Sequence, residues 1–496
     1  MFAACFATKM LRQLVNTFHK VRTLNNYNNV REIIEKQNIR FVDFKIVDLI
    51  GRWRHVTIPA SKFTPNLIEV GLGFDGSNYG YRPVQKSDLL FIPDITTAKV
   101  EQFSEDRSIS MTGDIYELGK EGEIKPFSRD PRRTAKRAVE YLNKVGIANH
   151  CYLSPEFEFY IFDRSRFGYT YNKGFFEIES RESFWNSGED ENLGYKLMPK
   201  TSYHAPRPGD KFAELRNEIT SYLEKQGISI KYHHHEIGSA GESEIEVGFT
   251  KLIEAADNTL FIKYAVKNIS YKRGKSATFM PKPLYMQPGN GLHVHTFLTK
   301  GKENIFHGSR YGGLSKTALY YIGGLLKHGS SLMAFTNPST NSYKRLVSGY
   351  EAPVNFVFAL ANRSAAIRIP GYVREPSRKR IELRVADATC NPYLAYSAIL
   401  MAGLDGIEKK IDPEREGFGP YEENIYDPQE ERAIIKSVPK SLEEALIKLR
   451  EDHDYLLKGD VFTEDQIDNW IKTKMGEVKE FYDKPHPYEY LLYYDI

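Results

Sequence analysis

Cysteine is scarce: three residues in 496, Cys5, Cys151 and Cys390, odd in number and far apart. That excludes a disulfide framework or a zinc knuckle and favours a reducing compartment. Excess charge of one sign is also missing. With 68 Lys and Arg against 65 Asp and Glu, the net charge is +3, so neither nucleic acid nor a membrane is expected as the main partner. Long apolar runs are absent; the stretch Pro392–Leu404 is too short to span a bilayer and reads as a core helix. No secretory signal, low-complexity segment or internal repeat stands out. What remains is a globular composition, 41% hydrophobic and 27% charged, with length for two or three domains.

Two phosphate-loop patterns also fail. Gly71, Gly73 and Gly76 spell G-x-G-x-x-G, but Gly80 and Pro83 follow too closely for a helix to open. A loop presenting Asp75 and Ser77 is left. Gly274–Lys275–Ser276 ends like a Walker A motif, but Ile269 stands where the leading glycine belongs.

Residues 1–26 form a basic extension, with Lys9, Arg12, Lys20 and Arg22 and no acid before Glu32. It reads as a short basic helix or a start upstream of Met10; an organelle presequence is the competing reading. A small β-rich domain is expected over 27–125, entered by the hairpin pattern from Ile39 with Gly51 at its turn. A larger domain follows over 126–496, entered by an amphipathic helix over Arg129–Val145. The Gly-, Asn- and charge-rich region 163–200 reads as surface loops.

Chemistry gathers in three strand-like stretches. Side chains alternate between faces of a strand, so LSPEFEFYIF turns Glu156 and Glu158 to one side. GLHVHTF does the same with His293 and His295, and KRIELRV with Arg380, Glu382 and Arg384. A fourth segment holds His233, His234, His235, Glu236, Glu244 and Glu246. Candidate metal ligands are Glu156, Glu158, Glu236, Glu244, Glu382 and one of the two HVH histidines. Oxygen and imidazole donors without thiolate suit Mg²⁺ or Mn²⁺, and five carboxylates exceed what one ion neutralises. Arg345, Arg363, Arg368, Arg380 and Arg384 suit carboxylate or phosphate. Metals plus arginines without a P-loop point to phosphoryl transfer from a metal–nucleotide to an anionic substrate. Tyr203, His204 and Phe249 are candidates for an adenine pocket, while Arg374 and Arg378 read as surface ion-pairing residues.

The succession FDGSN…SDLLFIPD, SPEFEFYIFD, HHHEIGSAGESE, GLHVH, NSYKRLVSGYEAPV, NRSAAIRIP, KRIELRVADATCNPYLA and DHDYLLKGDVFTEDQIDNWI resembles the glutamine synthetases of bacterial and archaeal type, from about Phe41 to the C-terminus. The resemblance implies an α+β fold: a β-grasp-like N-terminal domain, then a catalytic domain whose curved, mainly antiparallel sheet forms a funnel, with a helical C-terminal part. It also implies a cytoplasmic double-ring dodecamer with active sites between subunits. The substrates would be L-glutamate, ammonium and ATP, with two or three Mg²⁺ or Mn²⁺ per site. Glu158, Glu236 and Glu244 match the first metal site; Glu156, His293 and Glu382 match the second. Gly289, Arg345, Glu351 and Arg384 match the glutamate site. Tyr203, Phe249, His295, Arg363, Arg368 and Arg380 fall to the nucleotide, Arg363 and Arg380 also gripping the transferred phosphoryl group. Asp75 matches the ammonium site and Glu351 a closing flap. The sequence departs from the family pattern at Pro288–Gly291, at Ala361 and at Lys231. Tyr426 falls near a position that some members adenylylate, and reads here as a surface tyrosine. A ligase for an organic amine and an inactive scaffold are the alternatives; the presence of Asp75 disfavours the first, and the complete ligand set the second.

Overall fold

The computed structural model describes residues 26–119, 122–186, 193–423 and 435–495. Its contacts divide the chain into two compact units, one ending at Arg133 and the other beginning at Thr134. Tyr426 and residues 1–25 lie outside the described residues.

In the first unit the alternating pattern after Ile39 does form a hairpin: Phe41–Val47 pairs antiparallel with Trp53–Pro59. Gly51 takes φ +85° at the turn, a region that costs glycine little. Ser108–Met111 joins Phe41–Val47 in parallel and Lys99–Glu101 forms the edge. A second four-stranded sheet runs Leu72–Asp75, Asp88–Pro93, Gly113–Leu118, Ile124–Pro126. Fully buried Phe44 and Phe91 meet at 5.7 Å between ring centroids. The triple-glycine pattern is no nucleotide loop: a single 3-10 turn, Gly76–Tyr79, follows the strand.

The second unit is built on a ten-stranded sheet. Its path strands, in chain order, are β1 (His150–Phe162), β2 (Ile230–His235), β3 (Glu242–Val247), β4 (Leu292–Lys300), β5 (Phe358–Leu360), β6 (Ile367–Ile369) and β7 (Ile381–Leu383). They lie in the order β2-β3-β1-β4-β7-β6-β5. Every neighbouring pair on this path is antiparallel except β5–β6. Buried helices back the sheet: α1 (Leu252–Lys272), α2 (Lys316–Lys327) and α3 (Pro392–Lys409). Asn391 caps α3 by accepting from the Tyr393 N–H at 3.2 Å, with Pro392 in the first turn. A Cβ on Gly324 would lie 2.1 Å from the Ala402 carbonyl, so glycine is what lets α2 and α3 pack backbone to backbone.

The expectation for 163–200 needs correction. Arg164–Thr170 and Lys173–Glu179 form a two-stranded hairpin. Its alternation is hidden in the sequence because neither face is buried: Phe167, Tyr169, Phe175 and Phe176 are all exposed, so no core-facing stripe marks the strands. Among the described residues, no helix is long and apolar enough to cross a membrane.

Candidate active site

Register gathers the site. Glu158 lies opposite Glu244, and Glu244 opposite His234. Glu156 lies between Glu246 and His293. Glu382 lies between His295 and Arg368. Directly opposed side chains start about 5 Å apart at Cβ, so three rows of ionisable groups cover one face of the sheet. His293 Nδ1 is 3.1 Å from Glu156 Oε2, and His295 Nε2 is 2.6 Å from Glu156 Oε1. His234 Nε2 is 3.2 Å from Glu244 Oε1 and its Nδ1 is 3.8 Å from Glu236 Oε1. Glu158 is 3.7 Å from His293 Nε2 and accepts from the Gly291 N–H.

Among the described residues, three groups could hold an ion: Glu156–Glu244–His293, Glu156–His295–Glu382 and His234–Glu236–Glu244. Five of the six candidate ligands belong to them, and Glu158 adjoins through His293. His234 and His295 also take part. The sequence carried a signal for His234, two residues from Glu236, but left it among the other acids and histidines of that segment.

Charge is unevenly balanced along this floor. Burial, and then the neighbouring carboxylates, push Glu236, Glu242 and Glu244 well above the usual carboxylate range. At the other end burial is overcome. His295 and His293 hold Glu156 well below that range, and Arg384 with Arg368 holds Glu382 at about 2. Arg384 Nη1 and Arg368 Nη1 each donate to Glu382 at 2.5 Å. Among the described residues, no Arg or Lys forms an ion pair with Glu236, Glu242 or Glu244 at the carboxylate-rich end, and Lys282 lowers Glu242 only in part. Oxygen and imidazole donors without thiolate fit hard divalent ions there; Cys151 and Cys390 belong to none of the three groups.

Two cavities open above the floor. One, of about 390 Å³, is walled by Arg363, Arg368, Arg378, Arg380 and Lys231, with Tyr372 beside them. The other, of about 330 Å³, is bounded by Gly289, Arg345, Glu351 and Arg384 over Glu158 and Glu236. Tyr203, Glu244 and Arg363 line both, so a group passing between the cavities passes Arg363. Phe249 and His295 line neither. Phe249 lies under Lys231 and Arg380, 5.0 and 5.6 Å from its ring centre, and His295 is buried against Glu156.

Arg378, expected at the surface, is exposed and also lines the first cavity. Tyr372 was not foreseen; it accepts from Arg380 Nη2 at 3.3 Å, and Arg368 stands 5.7 Å over its ring. Arg345 ends a short helix, Ser342–Arg345. Its Nη1 donates to the Val385 carbonyl at 2.9 Å and its Nη2 to that of Arg384 at 3.2 Å. Exposed Glu351 adopts φ +55°, and its carbonyl accepts from Arg384 Nη2 at 3.4 Å. A non-glycine residue held there stores strain of the kind found at functional loops. Asp75 belongs to the first unit, where its carboxylate accepts from the Ser77 N–H at 2.8 Å and from Asn78 at 2.8 Å.

Comparison with known proteins agrees with this geometry. Residues 38–118 match the family described as glutamine synthetase, beta-Grasp domain, and residues 128–493 the glutamine synthetase catalytic domain. The chain belongs to the glutamine synthetase family. It is 47% identical to the glutamine synthetase of Aquifex aeolicus over 94% of this chain and 98% of that one. It is 46% identical to that of Frankia alni over 94% and 99%. A solved Plasmodium falciparum glutamine synthetase superposes with TM-score 0.84 at 28% identity, covering 94% of this chain and 98% of the other. The expected family and its two-part α+β fold are borne out.

Proposed function

We propose that this protein joins ammonia to the γ-carboxylate of L-glutamate, with ATP as phosphoryl donor and glutamine, ADP and phosphate as products. The observation that carries the reading is the pair of cavities meeting at Arg363 over one carboxylate–histidine floor. The arginine-walled cavity suits the triphosphate. Arg345 and Arg384 in the other suit an amino-acid carboxylate.

A carboxylate is a poor electrophile, so the glutamate γ-oxygen first attacks the terminal phosphorus and ADP leaves. Arg363 and Arg380 stabilise the charge on the transferring group. Asp75, supplied by a neighbouring subunit, takes a proton from ammonium; the ammonia so formed attacks the acyl phosphate carbon, and phosphate departs, accepting the nitrogen's remaining extra proton. Glu351 and its strained loop close over the intermediate and exclude water. Mg²⁺ or Mn²⁺, held by Glu156, Glu158, Glu236, Glu244, His293 and Glu382, would neutralise phosphate charge. The working form is a cytoplasmic dodecamer of two hexameric rings.

Phosphate release with ATP, Mg²⁺ and glutamate, adding ammonium, methylamine or putrescine in turn, tests the reading. Ammonium should give by far the highest kcat/KM. A preference for either amine, or no turnover by the assembled protein, would overturn it.

A further inference from the structure

Lys231 is a cation set among arginines in the cavity wall, and two of its donors are already engaged within the protein. An ammonium has three N–H donors. One points to Glu246, another reaches Ser154 Oγ at 2.9 Å, and the nitrogen stands 5.0 Å over the Phe249 ring. Ser154 donates its own proton to the Val247 carbonyl at 2.6 Å, which leaves its oxygen free to accept from Lys231. Glu246 is 1% exposed, faces the cavity and accepts from Lys231. His295 Nε2 lies 3.9 Å from it. Three carboxylates, Glu156, Glu244 and Glu246, therefore border the space beside the arginine wall. Buried in low dielectric, an unbalanced Glu246 would repel a polyphosphate strongly.

Resting on the reading above, we infer that Lys231 determines ligand specificity in the nucleotide cavity: it is a built-in counter-ion that cancels Glu246 and keeps the cavity receptive to polyphosphate. It acts through Glu246, so its effect scales with ligand charge.

The test is calorimetric binding of ADP and of neutral adenosine to the assembled protein in Mg²⁺. Lys231→Met should weaken ADP by roughly tenfold or more and adenosine by less than about twofold. The double variant Lys231→Met/Glu246→Gln should return ADP affinity to within about threefold of wild type, and Lys231→Arg should retain it. Unchanged ADP affinity in Lys231→Met, equal loss of both ligands, or no recovery in the double variant would overturn the inference alone. Wild type that binds no ADP would overturn the underlying reading as well.

Discussion

Gly291 is the position where one methyl group should separate the use of glutamate from the use of ATP. A Cβ there would lie 2.4 Å from Arg345 Nη2 and 2.8 Å from His293 Nε2, where ordinary contact begins at 3.4 Å. Arg345 would have to withdraw by about 1 Å, a displacement that can cost about 100-fold in rate at a site needing near-attack geometry. The guanidinium is the far end of a flexible side chain, but it is anchored to the carbonyls of Val385, Ala386 and Arg384. It cannot retreat without loosening these bonds, so overpacking should cost about 1–3 kcal/mol of stability. We expect Gly291→Ala to assemble, to melt somewhat lower, and to lose about 100-fold in kcat/KM for glutamate, about 2.7 kcal/mol. Because Arg345 borders only the second cavity, KM for ATP should change by less than about threefold. Steady-state phosphate release against each substrate, paired with thermal melts, reads all three. Glutamate kcat/KM within about threefold of wild type would refute the reasoning. Equal damage to both substrates would show that the methyl disrupts the floor through His293 instead.

Three more perturbations follow from the charges. Glu382→Ala leaves Arg368 and Arg384 buried with no carboxylate between them, and should cost about 3–5 kcal/mol in urea unfolding; a loss under about 1 kcal/mol would contradict the pairing. Chelation should lower the melting temperature and Mg²⁺ should raise it again, stabilising the fold by about 2.7 kcal/mol at a hundredfold excess over Kd, since no Arg or Lys among the described residues pairs with Glu236 or Glu244; a melting temperature indifferent to Mg²⁺ would count against ion binding there. Buried His328 lies 2.8 Å from Asp405 and 2.9 Å from Asp452, beside Ser331 and Tyr455, with Lys436, Lys458 and Lys409 beyond the two acids. Burial opposes its charge but the two carboxylates win, raising His328 above 6.5. Its contribution is full below 6.5 and fades as pH rises through the raised value. Melting temperature should therefore fall above neutral pH in wild type and fall less in His328→Gln.

Which residues share a face was legible in the sequence, because strand alternation is a property of neighbours along the chain. Glu156 with Glu158, His293 with His295, and Glu382 between Arg380 and Arg384 needed no partner strand to be paired off. Register was not legible. That Glu158 stands opposite Glu244, and Glu156 between Glu246 and His293, depends on ladders between segments up to 137 residues apart. The grouping of ligands into ion sites depends on those ladders. The division suggested by resemblance, Glu158 with Glu236 and Glu244, is accordingly crossed by groups that share Glu244 with His293 and bring in His234 and His295. Arg378 was missed for a related reason. It leaves a 3-10 turn, Pro376–Arg378, and a turn carries no periodicity to say which way a side chain faces.

The same sheet face poses two opposite electrostatic problems and answers them differently. Beside β6 and β7 the protein supplies its own cations, so Glu382 stays ionised in complete burial. Toward β2 and β3 it supplies Lys231 for Glu246 and little for Glu236, Glu242 and Glu244, whose carboxyls burial drives toward protonation. Filling that end with arginines would stabilise the empty protein but would leave no place for an exchangeable ion. Leaving it short of positive charge makes the fold less stable without ligand and concentrates affinity where phosphate charge must be met. Lys231 marks the boundary between these regimes: Glu246 is balanced by an ion pair with a side chain of the protein, and Glu244 beside it is not.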